Sequence, residues 1–429
     1  MRYLVVRLAV VVLAAAAGLP AAATAKEAPR PAASKPVPAG WTDWRGGPRR
    51  DSQSAHVPKA LPAECRFLWR TKLTSQSLGG IAATTKRVLC SDKSPDGGSD
   101  IWRCLDADTG KELWQLRYAA EATKMDYTSA PRATPVIVGE KVYLLGALGD
   151  LHCVGLADGR VLWKCNLLAR FGGKVPTWGF CGTPLAIGEK LVVNAVAPEA
   201  ALVAFHRHSG KVLWKTPGRA PGYGNLILGQ FGGRRQIVGY DVASAGGWDP
   251  ETGKRLWTLL PGEGEEFNVP TPLAADGQLL LATEKSGTRL YGFRDDGMID
   301  PQPVAVNREL APDITSPVLA DGAIWASCYG GMFCLDPALG LQCLWKTEDD
   351  AFRDAASLIA GNGRVLIALK SGILALVPAR PGPGEKPATL RVFQAGGDFE
   401  PELWSHPALV GDRLYLRNES SIVCLRLGS

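Results

Sequence analysis

Beyond its opening segment, the 429-residue sequence has no apolar run approaching eighteen residues, so no membrane-spanning helix is expected there. A G-x-S-x-G nucleophile motif is missing, and with it a common signature of Ser-His-Asp hydrolases. His is scarce, at five residues, and the one close pair, His206 and His208, has no evident third metal ligand. The acidic stretch Phe293–Asp300 does not complete a calcium-loop spacing. A phosphate loop is absent too. The Gly-Lys pairs in Asp106–Trp114 (DADTGKELW) and Asp249–Trp257 (DPETGKRLW) continue with Glu and Arg where such a loop needs Ser or Thr, and the unit recurs instead of occurring once.

Charge is also unconcentrated. The net charge of +6 becomes +4 without residues 1–25, and no basic tract stands out, so nucleic acid is not an expected partner. Residues 1–25 have two Arg, a short apolar stretch and small residues at Ala23–Ala25, the form of a secretory signal cleaved after Ala25. No Cys adjoins that point, so a lipoprotein is not expected. Lys26–Gly40 is rich in Pro and Ala and reads as a disordered linker. These features predict a periplasmic or secreted monomer.

What is abundant is a repeat. One element reads TPVIVGEKVYLLG from Thr134, TPLAIGEKLVVNA from Thr183, TPLAADGQLLLAT from Thr271 and SPVLADGAIWASC from Ser316, with further copies from Gly79, Gly224, Ser357 and His406. Each is followed by a third apolar run, an acidic Gly turn and a segment that usually ends in Leu-Trp. Short apolar runs between tight turns are strands, and four per unit of about 40–45 residues indicate propeller blades. The eighth unit ends without a fourth strand, while Phe67–Leu73 supplies a spare one with the same Leu-Trp. The predicted fold is therefore all-β: a single eight-bladed propeller over residues 41–429, with four-stranded antiparallel blades and the last closed by residues 67–73. Trp69, Trp114, Trp163, Trp214, Trp257 and Trp345 are read as structural docking residues between blades.

Ten Cys in an exported chain can mean disulfides. Cys104, Cys153, Cys334 and Cys424, however, hold one position in successive repeats, too far apart to bond, and read as small buried hydrophobes. Cys328 and Cys334 flank a Tyr-Gly-Gly turn and are the one pair whose separation leaves a bond open.

Units such as DPETGKRLW and TPVIVGEKVYLLG resemble the repeats of pyrroloquinoline-quinone (PQQ)-type propellers. The opening Trp41–Ser54 (WTDWRGGPRRDSQS) resembles that of exported bacterial members. The resemblance implies the fold and two kinds of function: quinoprotein dehydrogenases that bind PQQ with calcium, and a non-catalytic lipoprotein that assists outer-membrane assembly. The dehydrogenases carry adjacent cysteines against the cofactor, and this chain has no Cys-Cys pair and no C-x-x-C-H haem motif. No catalytic residue and no metal ligand is therefore carried over, and no cofactor is expected. The loops before the inner strands should converge on one mouth of the channel. They carry Tyr127, Arg132, Trp178, Phe180, Tyr223, Asn268, Asp313, Arg353, Asp354, Trp404 and His406, a polar-aromatic set suited to a small ligand or a protein. The expected function is a non-catalytic binding scaffold. The alternatives are a PQQ-dependent oxidoreductase with a divergent pocket and a hydrolase or lyase on the same scaffold.

Overall fold

The computed structural model describes residues 40–120, 125, 127–261, 268–393 and 402–428. The expected signal, and the expected linker as far as residue 39, lie outside them; Gly40, its last residue, is in a strand. The described chain forms eight antiparallel sheets. Blade 1 contains Ala82–Thr84, Arg87–Lys93, Ser99–Asp106 and Glu112–Ala119, from the inside outward. Blades 2 to 7 repeat this order, with inner strands Val136–Val138, Leu185–Ile187, Ile227–Phe231, Leu273–Ala275, Val318–Ala320 and Ala356–Gly361. Blade 8 takes Ala408–Val410, Arg413–Arg417 and Ser421–Arg426 from the end of the sequence, and Arg66–Lys72 from its start as the outer strand. The closure read from the sequence is thus present, and no blade is left short of an outer partner.

The second strands are buried on both faces, as at Val142–Leu145 and Leu191–Ala197. A sheet packed above and below favours such nearly continuous apolar runs. Several hydrophobic clusters, each shared by neighbouring blades, replace one central core. A continuous core would be hard to extend over a chain of this size.

The Asp-x-x-Thr-Gly turn explains the recurring Trp. Asp106 accepts hydrogen bonds from the Asp108 and Thr109 amides and from the Thr109 hydroxyl, and Gly110 completes the turn at φ 69°. The indole of Trp69, from blade 8, lies over that glycine, where a Cβ would stand 2.5 Å from the ring. Its Nε1 donates to the Ala107 carbonyl at 3.0 Å. Trp114 covers Gly159 and donates to Leu156, and Trp163 covers Gly210 and donates to Arg207. So the Gly of the Gly-Lys pair serves as a seat for the preceding blade's indole, and no phosphate is involved.

Two positions depart from the uniform docking expected. Trp214 covers Gly253, but its Nε1 has no hydrogen-bond partner among the described residues. Trp257 donates to Gln236 of its own blade, and Gln236 in turn donates to Gly297 of blade 5. Blade 5 replaces the Asp-x-x-Thr-Gly turn with Asp295–Gly297, so the indole reaches it through a side-chain relay. Blade 5 itself has no Trp, and the next turn glycine, Gly340, has nothing within 4 Å of its Cβ position.

All ten cysteines are free. Cys104, Cys153, Cys334 and Cys424 pair across the sheet with Trp114, Trp163, Trp345 and Trp69. They are the small partners beside each large indole. Cys328 opposes Gly331 across a Tyr329–Gly330 turn and is not bonded to Cys334.

Candidate functional site

The largest departure from the sequence reading is at the centre. Residues 40–57 enter the propeller channel and reach all eight blades. Gly40–Trp41 adds a fifth strand to blade 1, inside Ala82–Thr84. The Ile137 amide of blade 2 donates to the Thr42 carbonyl at 2.7 Å. Arg50 donates to the carbonyls of Thr183, Pro184 and Leu226 in blades 3 and 4. Trp44 Nε1 donates to Thr271 Oγ1 of blade 5, and Arg45 donates to the Pro317 carbonyl of blade 6. The chain then runs parallel to the inner strand of blade 7: Ala360 N donates to Ser52 O, and Ser54 N donates to Ala360 O. Trp41 stacks on His406 of blade 8 at 5.8 Å.

The segment antiparallel to the blade 1 strand climbs toward the inner-strand starts, and the one parallel to blade 7 descends from them. Asn362, in the turn at the far end of blade 7, donates to the carbonyls of Ala55 and Val57. Residues 40–57 therefore form a plug that rises, turns and leaves by the face on which it entered. Arg45, Arg50 and Ser52 are buried, while Pro48 and Arg49 at the turn are exposed. Burial pushes the Arg45 guanidinium down to about 10, opposed by the Asp51 charge. Asp43, also buried, lies 2.8 Å from Arg50. Burial raises its carboxyl, and the Arg50 charge pulls it back down.

Above the plug, the predicted mouth residues separate by burial. Arg132, Phe180, Asn268 and His406 are buried, contrary to their expected role as ligand-facing residues. Phe180 packs in the core between blades 2 and 3. Asn268 donates to the Asp241 carbonyl. His406 is enclosed by Trp41, Trp44 and Ser52. The others are grouped around the rim. Tyr127, 65% exposed, packs its ring 5.4 Å from Trp404. Lys370 Nζ lies 4.4 Å over Trp404 and 3.1 Å from Asp354. Trp178 and Tyr223 meet edge to face at 4.9 Å. Tyr223 also lines a recess with Gly179, Cys181, Asn194 and Pro221. Arg132 donates to Thr128 O, and its charge opposes the burial that pushes the Cys181 thiol up to about 11. A thiol so far from ionisation is a poor nucleophile. Asp313 accepts from the exposed Tyr329, and Arg353 donates to Glu348 O.

One buried pair beneath the rim was not foreseen. Lys93 Nζ bonds Asp100 at 2.9 Å and Ala120 O at 3.0 Å. Both side chains are at least 95% buried, and Tyr118 also donates to Asp100. The pair lies beneath the segment that carries Tyr127 and Arg132. Lys93 and Asp100 stand opposite each other on adjacent strands of blade 1, but their burial depends on the segment after Ala119, which the local sequence does not announce. The plug gave more: a Trp- and Arg-rich stretch, Trp41–Arg50, that belongs to no repeat.

Two overlapping stretches, residues 60–230 and 177–427, match the PQQ-type repeat family described as outer membrane protein assembly factor BamB. The chain belongs to that family. Among curated proteins it is similar to quinohemoprotein alcohol dehydrogenase ADH-IIG of Pseudomonas putida, with 24% identity over 216 residues. That match covers 43% of this chain and 29% of the relative, so the chain spans less than a third of that relative's length. The solved structure of quinohemoprotein alcohol dehydrogenase ADHIIG from Pseudomonas putida HK5 aligns at TM-score 0.64 and 11% identity, over 91% of this chain and 81% of that one. A europium-containing methanol dehydrogenase aligns at TM-score 0.66 and 10% identity, over 91% and 98%. At these identities the structures share the propeller fold.

The fold raises the question of PQQ and calcium. Calcium takes six to eight oxygen ligands. Among the described residues, no group of three or more His, Cys, Asp or Glu could hold a metal ion. A flat quinone needs a slot at the channel, and the space beneath the mouth is filled by Trp41, Trp44 and Arg45.

Proposed function

We propose that this chain is an exported, non-catalytic propeller that binds a protein or small ligand at the rim of its channel. The observation that carries the reading is the plug. It occupies the channel with buried side chains from Trp41 to Val57, and leaves the rim as the surface open to a ligand. There Tyr127, Trp404, Trp178, Tyr223 and Tyr329 offer aromatic area, interleaved with Arg353, Asp313 and Asp354. Aromatic and Arg side chains carry most binding energy at protein interfaces. The Lys93–Asp100 pair and the Tyr329–Asp313 bond hold rim segments in place, which lowers the ordering cost of association.

A second reading, a PQQ-dependent oxidoreductase with a divergent pocket, is favoured by the quinohemoprotein alcohol dehydrogenase relative. Calorimetric titration of the purified chain with PQQ and calcium separates the two, with dye reduction by alcohols assayed on the same sample. The scaffold reading expects neither saturable heat nor dye reduction. Micromolar binding accompanied by dye reduction would replace it with the second reading.

A further inference from the structure

The start of the inner strands has an unusual donor balance. Pro135, Pro184, Pro272, Pro317 and Pro407 stand there in five of the eight blades. Proline has no N–H, and among the described residues only blades 1, 2 and 7 gain a backbone partner along their inner edge. The channel rim is thus rich in carbonyl acceptors and poor in donors. Carbonyl dipoles converging on an axis favour a cation. A guanidinium suits them best, since its planar fork carries five donors and no acceptor.

The plug answers with two. Arg50, its side chain fully buried, donates Nη1 to Leu226 O at 2.9 Å and Thr183 O at 3.2 Å. Its Nη2 donates to Pro184 O and to Asp43 at 2.8 Å. Arg45 donates Nη2 to Pro317 O, while its Nη1 is buried without a partner. The fit is incomplete in a second way. Arg45, Arg50 and Ser52 all adopt left-handed φ, between 56° and 58°. Non-glycine residues hold such angles at a cost and only where surroundings enforce them. After Val57 the chain runs through residues 58–65, half-buried or exposed and without regular structure.

We propose that the ring of inner carbonyls is a guanidinium-binding collar, that residues 40–57 are its resident ligand, and that the collar accepts an arginine-bearing extended segment of another chain in their place. Strain and the unpaired Nη1 disfavour the resident segment, so a segment that pairs both guanidinium groups without left-handed residues competes with it. The inference concerns the channel and does not depend on what binds at the rim.

Two experiments test it. In Arg50→Ala, the melting temperature drops by several degrees. Guanidinium at tens of millimolar, far below denaturing levels, restores part of the loss where sodium chloride does not. The same guanidinium does not stabilise Trp163→Ala. No recovery, or equal recovery in that control, overturns the proposal. If Arg50→Ala does not fold, the second experiment stands alone. A protease site placed between Lys59 and Glu64 is cleaved in the folded full chain, and a labelled peptide of residues 40–57 is added. The native peptide exchanges into the channel, and a peptide with citrulline at positions 45 and 50 binds about tenfold or more weakly. Failure of the native peptide to exchange, or equal binding of both peptides, overturns the proposal.

Discussion

At the residue scale, the account rests on atoms that tolerate little change. Gly159 holds φ 67° beneath Trp114, and a Cβ there would stand 2.6 Å from the indole. Gly159→Ala should therefore destabilise the chain by about 2–3 kcal/mol, from backbone strain and a displaced ring. Gly340→Ala, at the equivalent turn with open space around it, should lose only the backbone share. Denaturant melts of the two variants measure the difference directly. His406 gives a pH prediction. Burial first, and the Arg45 charge second, push it down to about 3 from an ordinary 6.5. The folded state keeps the imidazole neutral, while the unfolded chain takes up a proton below pH 6.5. Stability is thus unaffected by His406 above that pH. It falls by about 1.4 kcal/mol per unit below it, relative to a His406→Asn variant. Parallel urea titrations of both proteins between neutral and mildly acidic pH check the slope. His406 also shows where the sequence misleads. Its place before an inner strand correctly put it at the channel, but nothing local announced that Trp41 and Trp44, more than 350 residues earlier, would bury it.

At the scale of the element, much of the architecture was legible. Repeating Asp-x-x-Thr-Gly and Leu-Trp units locate turns and outer strands because each depends on short-range chemistry: an Asp that caps its own turn, and a Gly that makes room for an indole. The relay from Trp257 through Gln236 to Gly297 was not legible, since it joins two blades through one inward-facing amide. The burial of the Lys93–Asp100 pair was not legible either, although the two residues face each other across adjacent strands of blade 1. Removing one partner strands a buried charge, so Asp100→Asn or Lys93→Ala should cost about 3–5 kcal/mol, whereas the apolar double replacement Lys93→Met with Asp100→Leu should recover most of it. Chemical denaturation of the three variants tests this. A double variant no better than the singles would show that the pair matters through its contacts to Ala120 and Tyr118 instead.

For the whole molecule, the eight sheets, their closure and their many small cores follow from the repeat. The plug does not. It carries no periodicity, and many of its contacts are made to backbone groups, which every residue possesses, so little in the side-chain pattern of the blades points to it. Yet the functional reading proposed above rests on it, because Trp41, Arg45, Arg50 and Ser52 are buried within the channel. The most direct test is hydrogen exchange of the amides that the plug pairs with the blades. Ser54 donates to Ala360 O, Ala360 to Ser52 O, and Ile137 to Thr42 O. With the channel plugged, these three amides exchange on the slow timescale of blade residues such as Val142. If Ser54, Ala360 and Ile137 exchange as fast as residues 58–65, the channel is open in solution and the account is contradicted.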